Sequence, residues 1–145
     1  AKGSVYHYFS GKEDLLLQIF DMLDEIAHHF VPEPDPETDP KEALRHIVDE
    51  GIRALEEQSA FFRMIAQLSL QTEVIQGLRP RIEKMRRQKM TAFLPLFEKL
   101  GYADPETEMY FLGALLDGML LGLHSLEENY PTQALHQRIY ALYNL

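Results

Sequence analysis

The sequence predicts an all-α fold, and three observations carry that prediction. Apolar residues recur at intervals of three and four almost everywhere along the chain. The strict apolar–polar alternation of a half-buried strand is absent. Prolines, glycines and capping residues fall between the periodic segments and mark their ends. The length of 145 residues suits one folded body, and 46% hydrophobic with 26% charged residues is a globular composition.

The elements follow in order. Ser10 and Glu13 form an S-x-x-E capping box. The helix behind it places Leu15, Leu16, Ile19, Met22, Leu23, Ile26 and Phe30 on one face. VPEPDPETDP at 31–40 has four prolines and four acids and predicts an extended, solvated connection. Asp39 and Pro40 then read as N-cap and first residue of a second helix, with Leu44, Ile47, Val48, Gly51 and Leu55 inward. Ser59 is expected to cap a third helix with Phe61, Phe62, Ile65 and Leu68 inward. The stretch 71–79 is ambiguous. Gly77 and Pro80 predict a break there, followed by a helix from about Pro80 to Leu100 that Pro95 should kink. Gly101 reads as the residue after its C-cap. Asp104-Pro105 opens the next helix, expected to reach about Glu128, and Pro131 or Thr132 opens the last.

Several function classes are disfavoured. There are no cysteines, so no disulfide framework, thiol nucleophile or Cys-based metal site is possible. No apolar run reaches a membrane span: the longest, LLDGMLLGL at 115–123, is interrupted by Asp117 and two glycines. The lack of cysteines suits a reducing cytoplasm, and no signal-peptide pattern is visible, although residue 1 is not Met and need not be the true N-terminus. Glu25-x-x-His28 matches half of a di-iron motif, but a second E-x-x-H is missing. No phosphate-binding glycine loop or nucleophile elbow occurs. Neither an enzyme nor a bound metal or other cofactor is expected. The net charge of −9 argues against sequence-independent nucleic-acid binding by the body of the chain, but leaves room for a small reading element at one end.

The opening AKGSVYHYFSGKEDL breaks local rules. Gly3, Val5, Tyr6, His7 and Tyr8 all weaken a helix relative to alanine. Val5 and Phe9 share one face, which leaves Lys2, Ser4, Tyr6, His7 and Tyr8 for the others. Such side chains bond phosphates and base edges well. Lys12, near the positive end of the next helix, is poorly placed unless an anion sits there. The pattern Gly3-x-x-Tyr6-x-Tyr8-Phe9-x-x-Lys12-x-x-Leu15 resembles the end of the helix-turn-helix of TetR-type transcriptional regulators.

The resemblance covers about 15 residues, and what it implies is specific. Residues 1–11 would be the remnant of a recognition helix, and 12–145 the ligand-binding and dimerisation domain. Lys2, Gly3, Ser4, Tyr6 and His7 would face the major groove or its edges, with Tyr8 and Lys12 on phosphates. The family places two more helices ahead of this stretch. Without them Val5 and Phe9 lose their packing partners, and the chain alone is expected to bind DNA poorly. The expected function is a repressor whose operator affinity is set by a small-molecule effector. The alternative is an all-α ligand-binding or dimerisation module with no DNA role.

Two further sites follow as expectations. Ala114, Gly118 and Gly122 lie in one row on their helix and would let a second copy approach closely, as in the family's two-fold bundle; tight packing inside one subunit is the other reading. The effector pocket is expected among the first four body helices, lined by Phe20, Phe62, Met64, Gln67, Met85, Gln88 and Phe93. Plain core is the competing reading for those side chains. Asp117 lies in an apolar stretch, so burial and a polar partner are expected, with a ligand contact as the alternative. His124 and His136 lie near or on the expected interface between copies, with a structural or exposed role as the more usual reading. Residues 79–89, RPRIEKMRRQK, hold six of the fourteen basic residues and read as a solvated helix start, or as an attractor for an acidic effector.

Overall fold

A computed structural model describes residues 12–69 and 72–145, and among them all regular structure is helical. Six α-helices occur in the described residues. They are α1 (Lys12–Phe30), α2 (Pro40–Glu57), α3 (Ser59–Ser69), α4 (Thr72–Lys99), α5 (Pro105–Leu126) and α6 (Thr132–Tyr143), with a single 3-10 turn at Glu127–Asn129 between the last two. The capping box at Ser10 lies outside the described residues.

Helix α2 is the centre of the fold. Asp39 starts it: its carboxylate accepts the backbone N–H groups of Lys41 at 3.0 Å and Glu42 at 3.1 Å, while Pro40 contributes no donor to satisfy. All five inward residues expected of this helix are buried, together with Ala43, Ile52 and Ala54. The helix touches every other one. Leu44 and Val48 lie completely inside, packed in one cluster with Phe97 of α4, Leu112 and Met119 of α5, and Ile139 and Tyr143 of α6. At Gly51 an added methyl would meet Leu116 at 3.3 Å, so α2 and α5 cross closely there.

A second, smaller core joins α1 to the first half of α4. It contains Leu16, Phe20, Leu78 and Met85, with Ile82 against them and an Arg81–Asp21 ion pair beside it. This packing overturns the expected break at Gly77 and Pro80, because α4 runs unbroken through both. A proline inside a helix costs about 3 kcal/mol. Burying Leu78 and Met85 on either side of Pro80 contributes about 1.5–3 kcal/mol each and offsets that cost.

The joint between α2 and α3 is also tighter than expected. Gln58 alone separates them. Its N–H bonds back to Ala54 and its carbonyl accepts the N–H groups of Phe61 and Phe62, so Ser59 is the first residue of α3 and not its cap. Gly101 has φ +79° and closes α4 as the sequence predicts. Asp104 opens α5 by accepting the Thr107 N–H at 3.1 Å and the Thr107 hydroxyl at 2.7 Å. Two lysines anchor the connections: Lys99 Nζ donates to the Pro36 carbonyl at 2.7 Å, and Lys41 Nζ to the Asn144 carbonyl at 3.2 Å.

Candidate interface and ligand sites

Helix α5 is apolar on two sides, and only one side is covered. Leu112 and Met119 face the core. On the other side Tyr110, Phe111 and Leu121 are exposed, with Ala114 and Gly118 between them. Positions 111, 114, 118 and 121 follow helical spacing, so these residues form one outward stripe. By length and composition this helix could cross a membrane: an 18-residue window has mean hydropathy 1.4, and 11% of that window is buried. The sequence expectation that no run is long enough therefore needs correcting. The helix extends beyond 115–123 on both sides, and the apolar residues from Met109 onward outweigh Asp117, although its first turn carries Glu106 and Glu108.

The row of small residues divides. A methyl on Gly118 would meet nothing within 4 Å, so the described residues supply no packing reason for that glycine. A methyl on Gly122 would lie 2.0 Å from the Tyr130 ring. Gly122 is thus the seat of Tyr130, which folds back from the turn after α5. Asp117 is exposed and not buried. The protein around it still pushes its carboxyl up from the ordinary range, and Lys89 of α4 opposes that shift. One turn earlier on α4, Arg86 donates to the Tyr110 hydroxyl at 2.7 Å.

The expected pocket residues are not brought together. Phe20 and Met85 meet in the small core between α1 and α4. Phe62 and Phe93 lie against the main core instead. Met64 is half-buried, and Gln67, Gln88 and Asp117 are on the surface. A recess of about 460 Å³ lies elsewhere, lined among others by Leu55, Arg63, Leu120, His124 and Tyr130. Of the basic run at 79–89, Arg81 is tied to Asp21 and Arg86 to Tyr110, while Arg87 and Lys89 are exposed. Glu25 and His28 are both exposed on α1.

A polar knot fastens α6 to α2. His136 Nε2 lies 2.7 Å from Asp49 Oδ1, and the Tyr140 hydroxyl donates to the same oxygen. The two rings meet edge to face, with Arg45 over Tyr140. Burial, then the bond to Asp49, pushes the Tyr140 hydroxyl up to about 12, so it keeps its proton and continues to donate near neutrality. His136 thus makes a structural contact within the chain, between α6 and α2. The i, i+4 spacing of His136 and Tyr140 was visible in the sequence; their acceptor, 87 residues earlier, was not.

The proposed DNA contacts Lys2, Gly3, Ser4, Tyr6, His7 and Tyr8 lie outside the described residues, and Lys12 is the first residue of α1. Compared with known proteins, the chain matches no family model, no curated protein and no solved structure.

Proposed function

We propose that the chain is the body of a TetR-type one-component transcriptional regulator, with residues 1–11 ending its DNA-reading head. The observation that carries this reading is the pattern Gly3-x-x-Tyr6-x-Tyr8-Phe9-x-x-Lys12-x-x-Leu15, six residues at fixed spacing ahead of an all-helical body. Lys2, Gly3, Ser4, Tyr6 and His7 read the groove, and Tyr8 and Lys12 hold phosphates. A second copy covers the outer face of α5 and gives the two-fold symmetry that a palindromic operator requires. The exposed Tyr110, Phe111 and Leu121 beside Ala114 and Gly118 support that occupant. A small effector taken up by the helical body shifts the population between DNA-competent and DNA-incompetent pairs. The protein acts in the cytoplasm as a repressor, without enzymatic activity and without membrane insertion of α5.

The test is a gel shift with the protein as translated from its natural reading frame, on the DNA upstream of its own gene. Salt-sensitive, sequence-selective binding that Tyr8→Ala and Lys12→Ala abolish is the expected result. No selective shift at low salt leaves the second reading, a ligand-binding or dimerisation module without a DNA role, to which the net charge of −9 is suited.

A further inference from the structure

We infer that the recess lined from α2, α3, α5 and the start of α6 binds a small zwitterion with an apolar body, of the kind that a short apolar peptide presents. At about 460 Å³ it falls within the ~300–1,000 Å³ usual for small-molecule sites. Its lining combines two chemistries. Leu55 is buried and Leu120, Leu123 and Tyr130 are half-buried, so together they offer an apolar surface. Gly122 fixes the Tyr130 part of it, because the missing side chain leaves the room that the ring occupies. The same recess is lined by one arginine, Arg63, and by two carboxylates, Glu56 and Glu128.

Those charges identify the ligand. Arg63 pairs with neither carboxylate, and none of the three side chains has an ion pair or hydrogen bond among the described residues. By contrast, Arg53, Arg81 and Arg86 are each engaged by another side chain. The hydroxyls of Ser59 and Thr132 and the His124 ring also line the recess, again without a partner among the described residues. A simple anion would meet Glu56 and Glu128, and a simple cation would meet Arg63. A molecule with both charges brings a carboxylate to Arg63 and an ammonium to the glutamates, while its apolar body covers Leu55, Leu120, Leu123 and Tyr130. This site is distinct from the small core of Phe20 and Met85 between α1 and α4. It stands with or without a DNA-reading role. Where that role holds, the recess gives the small effector a place.

Titration of the chain with the dipeptide L-phenylalanyl-L-leucine near neutral pH, followed by amide NMR spectra, tests this. Shifts are expected to gather at residues 55–63, 120–124 and 128–132. The N-acetylated dipeptide lacks the ammonium and the C-terminal amide lacks the carboxylate, and each is expected to bind about tenfold more weakly. Arg63→Gln should weaken the dipeptide about tenfold and leave the amide unchanged. Because Arg63 is exposed, an unaltered melting curve confirms that this variant is folded. Replacing both Glu56 and Glu128 by Gln should weaken the dipeptide and spare its N-acetylated form. No shifts at the recess with millimolar dipeptide, equal affinity for all three peptides, or an Arg63→Gln variant that binds the dipeptide as before overturns the inference. The gel shift decides the DNA-reading role separately, so neither failure implies the other.

Discussion

The two sides of α5 carry similar residues and meet different fates. Inward, Leu112 and Met119 lock into Leu44, Val48 and Phe97. Outward, Tyr110, Phe111 and Leu121 meet nothing among the described residues that buries them. The glycines repeat the contrast at closer range, since Gly122 is filled by Tyr130 and Gly118 faces open space. Apolar character alone therefore does not define the core of this protein. It defines the core plus a surface that the described residues leave exposed.

Substitutions can break that contrast at known places. The largest loss is expected inside: Leu112→Ala should cost about 2–5 kcal/mol in urea unfolding, through lost contacts and the cavity left behind. The matching change outside, Leu121→Ala, should move the stability of the isolated chain by no more than about 0.5 kcal/mol, because the side chain is 54% exposed. Gly122→Ala should destabilise by about 1–3 kcal/mol, since the new methyl evicts the Tyr130 ring. In a Tyr130→Ala background that penalty should vanish, and a persisting loss would mean that the ring does not sit on Gly122. Gly118→Ala, measured at low protein concentration, should instead gain up to about 1 kcal/mol from helix propensity.

The smallest effect concerns pH. Hydrogen bonds from the Thr107 hydroxyl and backbone hold the Asp104 carboxyl below its ordinary range. Its stabilising contribution is therefore present above the carboxylate value of the unfolded chain and is lost as the pH falls through the lowered one. Asp104→Ala should lower the melting temperature slightly at pH 7. The gap to the unaltered protein should close on acidification, a trend that melting curves at pH 7, 5 and 3 can follow.

Local chemistry was legible in the sequence. Asp39-Pro40, Asp104-Pro105 and Gly101 declare helix ends because the groups they satisfy lie within three or four residues. The buried face of α2 was legible as well, since a helix with one covered side shows it as periodicity. Contacts between distant segments were not. Pro80 looks like a helix end until Leu16 and Phe20 arrive from α1 to hold Leu78 and Met85. Asp117 looks buried because its neighbours are apolar, yet α5 is apolar on a side that its own chain leaves open. The expected pocket residues divide between two clusters for the same reason: aromatic and methionine residues announce a wish for burial without saying in which cluster.

The claim on which the account depends is that a second copy covers the outer face of α5. Sedimentation of the chain beside Gly118→Leu at pH 6 tests it most directly, because a methyl at Gly118 meets nothing within 4 Å among the described residues. The account predicts twice the chain mass for the unaltered protein and a folded monomer for Gly118→Leu. A monomer in both cases, or a dimer that Gly118→Leu leaves intact, would contradict it.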